Sequence, residues 1–314
     1  MATMAYQNPG THSFVPELWD SELLTQFDPQ LVWASPTVTN RQYEGGISKK
    51  GDVVHINSLL RPTVGDYDVS KGMTPERPET VDQSLVISEA KYLQILLENA
   101  EVTQAAGALE SPINQEMVKA LARETDKFMG GVIAAAATPL ADITAYGESV
   151  NVPQVLYSGI LDMMLALDEN DIPETRYVVV SPKVKRHLLE HPAIADASAF
   201  GKGGATQNGV IAELAGFTVL STTAMPDSVD IVAGNSQFAT FASQFTGFRD
   251  GQSEKFRADY IDTLHLYGGK VVRFPGLDTK KDDHTFDESK PTKGIVKAKV
   301  VWEKPDVPNP PKGS

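Results

Sequence analysis

Residues 111–137 read SPINQEMVKALARETDKFMGGVIAAAA, and the rest of the chain is best read outward from this stretch. Ser111 can cap the first turn of a helix, and Pro112 suits its first position, where a missing N–H costs nothing. Ile113, Met117, Leu121, Phe128 and Val132 follow at spacings of four or seven, which places them on one helical face. The stretch predicts an amphipathic rod about 39 Å long at ~1.5 Å per residue. Gly130-Gly131 lowers helix propensity and provides for a bend or a close approach.

Upstream, residues 1–40 mix short apolar pieces with breakers: Pro9-Gly10, Pro16, Asp28-Pro29 and Ser35-Pro36. They predict an extended arm with one short helix near Glu17–Phe27. Residues 45–100 read as a long two-stranded excursion. Gly51–Ile56 is its outgoing strand, and Val81–Ile87 followed by Tyr92–Leu97 its return. Between them Arg61–Thr80 holds Pro62, Pro75 and Pro78, and its sizeable apolar side chains are only Val64, Tyr67, Val69 and Met73. A stretch this polar has little with which to build a core, so it reads as a mobile surface loop or as a functional one.

Downstream the pattern is mixed α/β. Pro153–Leu167 predicts a second helix, Arg176–Ser181 a buried strand, and Ser181-Pro182 the start of a helix ending at His191-Pro192. Gly201–Gly209 is a Gly-rich loop, Val210–Leu214 a helical turn, and Phe217–Leu220 and Val229–Ala233 are strands. Phe238–Phe245 is ambiguous between strand and helix. Thr263–Phe274 reads as a strand that Gly268-Gly269 interrupts with a bulge. Residues 276–294 are polar and charged, Val296, Ala298, Val300 and Trp302 alternate as in one edge strand, and 304–314 is Pro-rich and reads as extended or disordered.

Composition narrows the function classes. The 314 residues hold 41% hydrophobic and 22% charged residues, ordinary for a globular chain of one large or two interleaved domains. There is no apolar stretch of membrane-spanning length, and Met1–Pro16 lacks the basic and apolar regions of a signal peptide. With no cysteine, disulfides, thiolate catalysis and Cys-bound zinc are excluded. A net charge of −13 argues against tight wrapping of nucleic acid.

Enzyme motifs fare poorly. His187 and His191 are four apart on one helix, but Leu188 stands where a zincin needs its glutamate, and Pro192 ends the helix at once. They read as a solvated helix end, with Glu190 beside them. Gly201-Lys202-Gly203-Gly204 lacks the spacing of a phosphate loop, and Asp168-Glu169-Asn170-Asp171 lacks the alternation and central Gly of a calcium loop. The latter reads as a helix end before Pro173. Asp278, Asp282, Asp283 and Asp287 read as one solvated acidic segment. No catalytic residue, cofactor or metal ligand is assigned.

The order of parts, together with three local phrases, resembles the major capsid proteins of tailed bacteriophages, with their Hong Kong 97-type fold. The phrases are Lys91-Tyr92-Leu93 to Glu98; Ile211–Ser221 (IAELAGFTVLS) leading to Met225-Pro226; and Leu264–Arg273 (LHLYGGKVVR). The resemblance implies an α+β chain with an N-arm (1–40), an extended β-hairpin E-loop (41–98) and a P-domain (99–149) carrying a spine helix at about 111–137. A mixed α/β A-domain (150–233) and a return to the P-domain (234–275) follow, then a charged, Pro-rich C-terminal extension (276–314). It implies a non-enzymatic virion protein that self-assembles into hexamers and pentamers of an icosahedral head. Its partners would be further copies of itself, a separate scaffolding protein, a portal at one vertex, and double-stranded DNA enclosed without sequence-specific binding; no membrane is involved. Assembly would take place in the host bacterial cytoplasm. Some relatives crosslink an E-loop lysine, and Lys49, Lys50 and Lys71 lie in the corresponding region. The rival readings are another virion protein, of tail or decoration type, and an intracellular α/β enzyme.

Overall fold

The rod is helix α1, Glu110–Ala136, in a computed structural model that describes residues 27, 30–42, 49–59, 64, 67, 80–98, 110–147, 150–195, 213–252, 258–278 and 285–303. Its inner face buries Met117, Val118, Leu121, Ala122, Met129, Ile133 and Ala134. Its outer face carries the exposed pairs Glu116–Lys119 and Glu124–Lys127. Burial on one side and charge on the other is what a 3.6-residue apolar period produces.

Ahead of α1, strands β1 (Val53–Leu59) and β2 (Thr80–Val86) form an antiparallel hairpin. Strand β3 (Glu89–Glu98) does not belong to it. The expected two-part return therefore divides after Val86, and β3 joins a second sheet, paired with the later strand Ala258–Val271. The physical reason is burial: Leu93 and Ile95 on β3 find the main core, which the hairpin does not reach.

After α1 come β4 (Ala137–Pro139), β5 (Ile143–Thr144) and helix α2 (Val152–Asp168). Asn151 caps α2, and Leu156, Ile160, Met163 and Leu167 form its buried stripe. Strand β6 (Arg176–Val180) leads into α3 (Pro182–Leu189), capped by Ser181 as its Ser-Pro start predicts, and then α4 (Pro192–Ala195). Strands β7 (Glu213–Leu214), β8 (Phe217–Ser221) and β9 (Ile231–Asn235) follow. Glu213-Leu214 was expected in a helical turn and is instead a strand, because it pairs back on Phe217-Thr218 through a tight turn. Positive φ at Ala215 (48°) and Gly216 (78°) makes that turn.

The ambiguous Phe238–Phe245 resolves as part of β10 (Ala239–Gln252), paired along its length with β11 (Ala258–Val271). The register shift in this pair lies on β10 between Phe245 and Phe248, not at Gly268-Gly269. The two glycines serve packing. A Cβ on Gly268 would stand 2.5 Å from the Val86 carbonyl oxygen, and one on Gly269 would overlap the Met129 sulfur.

The last elements are β12 (Thr292–Ala298) and β13 (Val300–Val301). The expected edge strand is not at an edge. β12 lies inside a six-stranded mixed sheet of order β4-β12-β9-β6-β8-β7, and β13 pairs with β5. An alternating pattern is a poor guide here, because both faces of β12 are covered and Thr292, Gly294, Ile295, Val296 and Ala298 are the residues buried. One core links α1, α2, the six-stranded sheet and the inner face of β10-β11-β3. A small second core, Ile56, Leu85, Ile87, Ala242, Leu266 and Val272, seats the hairpin on the other face. Among the described residues, no helix is long and apolar enough to cross a membrane.

Candidate functional site

Among the described residues, the hairpin and the strand after it carry most of the large exposed apolar side chains. Their buried side, Ile56, Leu85 and Ile87, fixes the base of the hairpin to Ala242 and Leu266. Gln83 then clasps the main chain of Arg273: its amide nitrogen donates to the Arg273 carbonyl at 2.7 Å, and its oxygen accepts the Arg273 N–H at 2.8 Å. Both groups are buried, so the clasp satisfies a donor and an acceptor that water cannot reach. The Arg273 guanidinium in turn lies 3.9 Å from the buried Asp278 carboxylate.

Exposed apolar residues also collect in this part of the chain. Val53 and Val86 stand in register across the hairpin and both face solvent. Val64 is 97% exposed, and Tyr67, Tyr92 (76%) and Leu96 also project outward. His55 and Asp82 form an exposed cross-strand pair at 2.8 Å. Lys49 and Lys50 are exposed at its base, where the Lys49 N–H donates to Asp52. Lys71 and most of Arg61–Thr80 lie outside the described residues.

A second feature holds the arm that precedes the hairpin. Trp33 is fully buried against α1, and its indole N–H donates to the Ala224 carbonyl at 3.0 Å. The Asp126 carboxylate on α1 accepts the backbone N–H groups of Val32 (2.9 Å), Trp33 (3.0 Å) and Ala34 (3.2 Å). Burial raises the Asp126 pKa, against the three amides that favour its charge. Neither Trp33 nor Asp126 stood out in the sequence; a tryptophan ahead of Ser35-Pro36 and an acid on the apolar side of the rod were the available signals.

The residues singled out for chemistry do not converge. His187 contacts Glu190 at 3.2 Å and lies beside the Trp302 ring. His191 is buried, not solvated: it meets Gln154 at 2.8 Å and stacks on Tyr157 at 4.5 Å. Asp168 pairs with Arg176 at 2.6 Å, and the 168–171 run ends α2 with Asp171 at φ 52°, as its helix-end reading requires. Asp278 departs from the solvated reading, because it is buried and accepts the Phe274 and Lys293 amides. Asp287 turns back to the Ser289 hydroxyl. Residues 201–212, Asp282 and Asp283 lie outside the described residues.

Two polar surface clefts of about 380 and 330 Å³ flank the six-stranded sheet. In the first, the Arg176 guanidinium is already held by Asp168 and by the Pro173 and Ile172 carbonyls.

The fold is matched by solved structures. That of Mycobacterium phage Che8 is 26% identical, with a TM-score of 0.64 over 85% of this chain and 90% of that one. The capsid of cyanophage P-SCSP1u is 12% identical, at a TM-score of 0.61 over 85% and 87%. A virus-like particle from Pyrococcus furiosus is 11% identical, at 0.52 over 90% and 98%. No curated protein matches in sequence. The family described as phage capsid protein matches residues 92–277, from within β3 through β11 and the turn beyond it. With a long helix against an antiparallel sheet, a mixed sheet beside it and an outlying hairpin, the chain belongs to the phage capsid protein family and is a major capsid protein of Hong Kong 97-type fold.

Proposed function

We propose that identical copies of this chain form the hexamers and pentamers of an icosahedral phage head, and that the hairpin region lies on a neighbouring subunit. In this reading 1–40 is the N-arm, 41–98 the E-loop with β3 as the strand that returns it to the P-domain sheet, 99–149 and 234–275 the P-domain, and 150–233 the A-domain around the capsomer axes. The C-terminal extension, 276–314, contributes β12 and β13 to the subunit's own sheets. One observation carries the proposal. Of the seven large apolar side chains exposed among the described residues, six (Val53, Val64, Tyr67, Val86, Tyr92 and Leu96) lie between 53 and 96. Exposed apolar surface concentrated in one stretch of the chain, on the hairpin, the segment beyond β1 and strand β3, is what an intersubunit contact needs, and it does nothing for an isolated subunit.

The role is structural, with no catalytic residue, cofactor or metal assigned. A separate scaffolding protein and a portal at one vertex complete the assembly. Double-stranded DNA is enclosed without sequence-specific contacts, and a net charge of −13 keeps the wall from gripping phosphate. Shells form in the host bacterial cytoplasm and persist as the virion coat.

Negative-stain microscopy of the purified protein, with and without co-expressed scaffold, tests this reading. Capsomers, sheets or shells are expected as concentration rises. Small fixed oligomers that only add to preformed shells would indicate a decoration role, and a strict monomer at high concentration with scaffold present would remove the proposal.

A further inference from the structure

The segment that finishes the subunit's core pairs with strands far from it in the chain. β12 sits between β4, with which it is parallel, and β9, with which it is antiparallel. Its partners are distant in sequence. The Thr138 hydroxyl donates to the Thr292 carbonyl across 154 residues at 2.6 Å. The Lys297 ammonium donates to the Ala134 carbonyl across 163 residues, also at 2.6 Å. Ala134 lies in the last turn of α1, which carries no basic residue of its own, so a lysine from β12 supplies the cation that this helix end favours.

The same segment satisfies four amides elsewhere. Leu140, Ile143 and Ala145 donate to the carbonyls of Lys297, Lys299 and Val301, each at 2.9 Å, and Asp230 donates to that of Ala298 at 3.1 Å. The Asp230 carboxylate accepts the Val300 N–H at 2.9 Å. Without β12, the wholly buried β9 would present a bare apolar edge, and the 137–145 segment would lose its strand partners. The slot is also close-fitting, since a Cβ on Gly294 would overlap the Phe238 ring.

We propose that residues 285–303 act as a late-docking clasp: they enter a slot between β4 and β9 after the remainder of the six-stranded sheet has formed, and only the clasped subunit is competent to assemble. The pairings β6–β8, β6–β9 and β9–β12 each join segments much closer in sequence than β4 and β12, so the closure onto β4 is the long-range step. Loop closure must precede the gain from such a long-range parallel pairing, so this pairing comes last. The clasp takes the chain's own segment in cis, in continuous register along β9 and with a register shift against β4.

Pulsed hydrogen exchange during refolding of the full-length chain tests the order of events. The amides of 292–301, together with those of Leu140, Ile143, Ala145 and Asp230, should gain protection as one group, severalfold later than β6 and β8. Gly294→Ala in the full chain should delay that group further and leave the timing of β6 and β8 unchanged. Simultaneous protection of all these amides in the wild-type chain overturns the clasp, whether or not the variant folds. The assembly consequence rests on the shell reading: refolding subunits offered to scaffold should enter particles only after the slow phase. Incorporation before that phase overturns the gate. If particles never form, the shell reading fails while the exchange kinetics still decide the clasp.

Discussion

Trp33 and Gly130 are in such close contact that a Cβ added to Gly130 would stand 2.9 Å from the indole nitrogen. The indole cannot retreat without giving up its bond to the Ala224 carbonyl, and its backbone is held by Asp126 from the same helix. Gly131, one residue on, faces open space. The paired glycines are therefore not equivalent. Gly130→Ala should destabilise the subunit by about 1–3 kcal/mol, as overpacking does. Gly131→Ala should stabilise it by up to ~1 kcal/mol through helix propensity. Chemical denaturation of the two variants side by side checks both signs.

Removing the carboxylate tests the same anchor from the other side. Asp126→Ala strands three backbone N–H groups, at least two of them in fully buried residues, and should cost about 2–4 kcal/mol. Hydrogen exchange at Val32, Trp33 and Ala34 should rise in the variant. Unchanged protection there would show that the turn holds itself.

Acid should weaken the subunit through His265. This side chain is fully buried on β11, stacked on Phe245 at 4.1 Å, and burial lowers its pKa to about 3, with Arg41 contributing. The unfolded chain takes up the proton near 6.5 while the folded one resists until about 3, so stability is full above 6.5 and falls as pH drops between those values. The slope approaches about 1.4 kcal/mol per pH unit for one such group. Asp126, whose pKa is raised, acts in the opposite sense and gives up stability as pH rises through its folded value. His265→Phe should keep the stack and flatten the acid slope, as read from urea unfolding at a series of pH values.

The hairpin's attachment should depend on Gln83. Gln83→Ala leaves a buried N–H and a buried carbonyl of Arg273 without that partner, at a cost of about 2–4 kcal/mol. Exchange along β1 and β2 should rise more than exchange along β6.

Replacing residues 61–80 by a short Gly-Ser link should change subunit stability by only about 1 kcal/mol, because loop closure varies slowly with length. Particle yield should drop much further if these residues contact neighbours. Thermal unfolding and particle counts on the same preparation separate the two effects; normal shells would remove the segment from the assembly account.

Local signals in the sequence settled several elements without help. The apolar period of 111–137, the Ser181-Pro182 start of α3 and the acidic end of α2 before Pro173 each act over one or two helical turns, so the residues that decide them are neighbours. The order of elements was likewise enough to suggest the capsid family. Other outcomes needed the assembled fold. Whether Gly268-Gly269 makes a bulge or receives Val86 and Met129, and whether Asp278 and His191 are wet or buried, depends on elements far away in the chain. The same holds for β12: its alternation of apolar and charged residues states that it is a strand, but not how many neighbours it has. Only the packing of β4 and β9 on either side decides that, because burial and pairing are properties of what surrounds a residue and not of the residue itself.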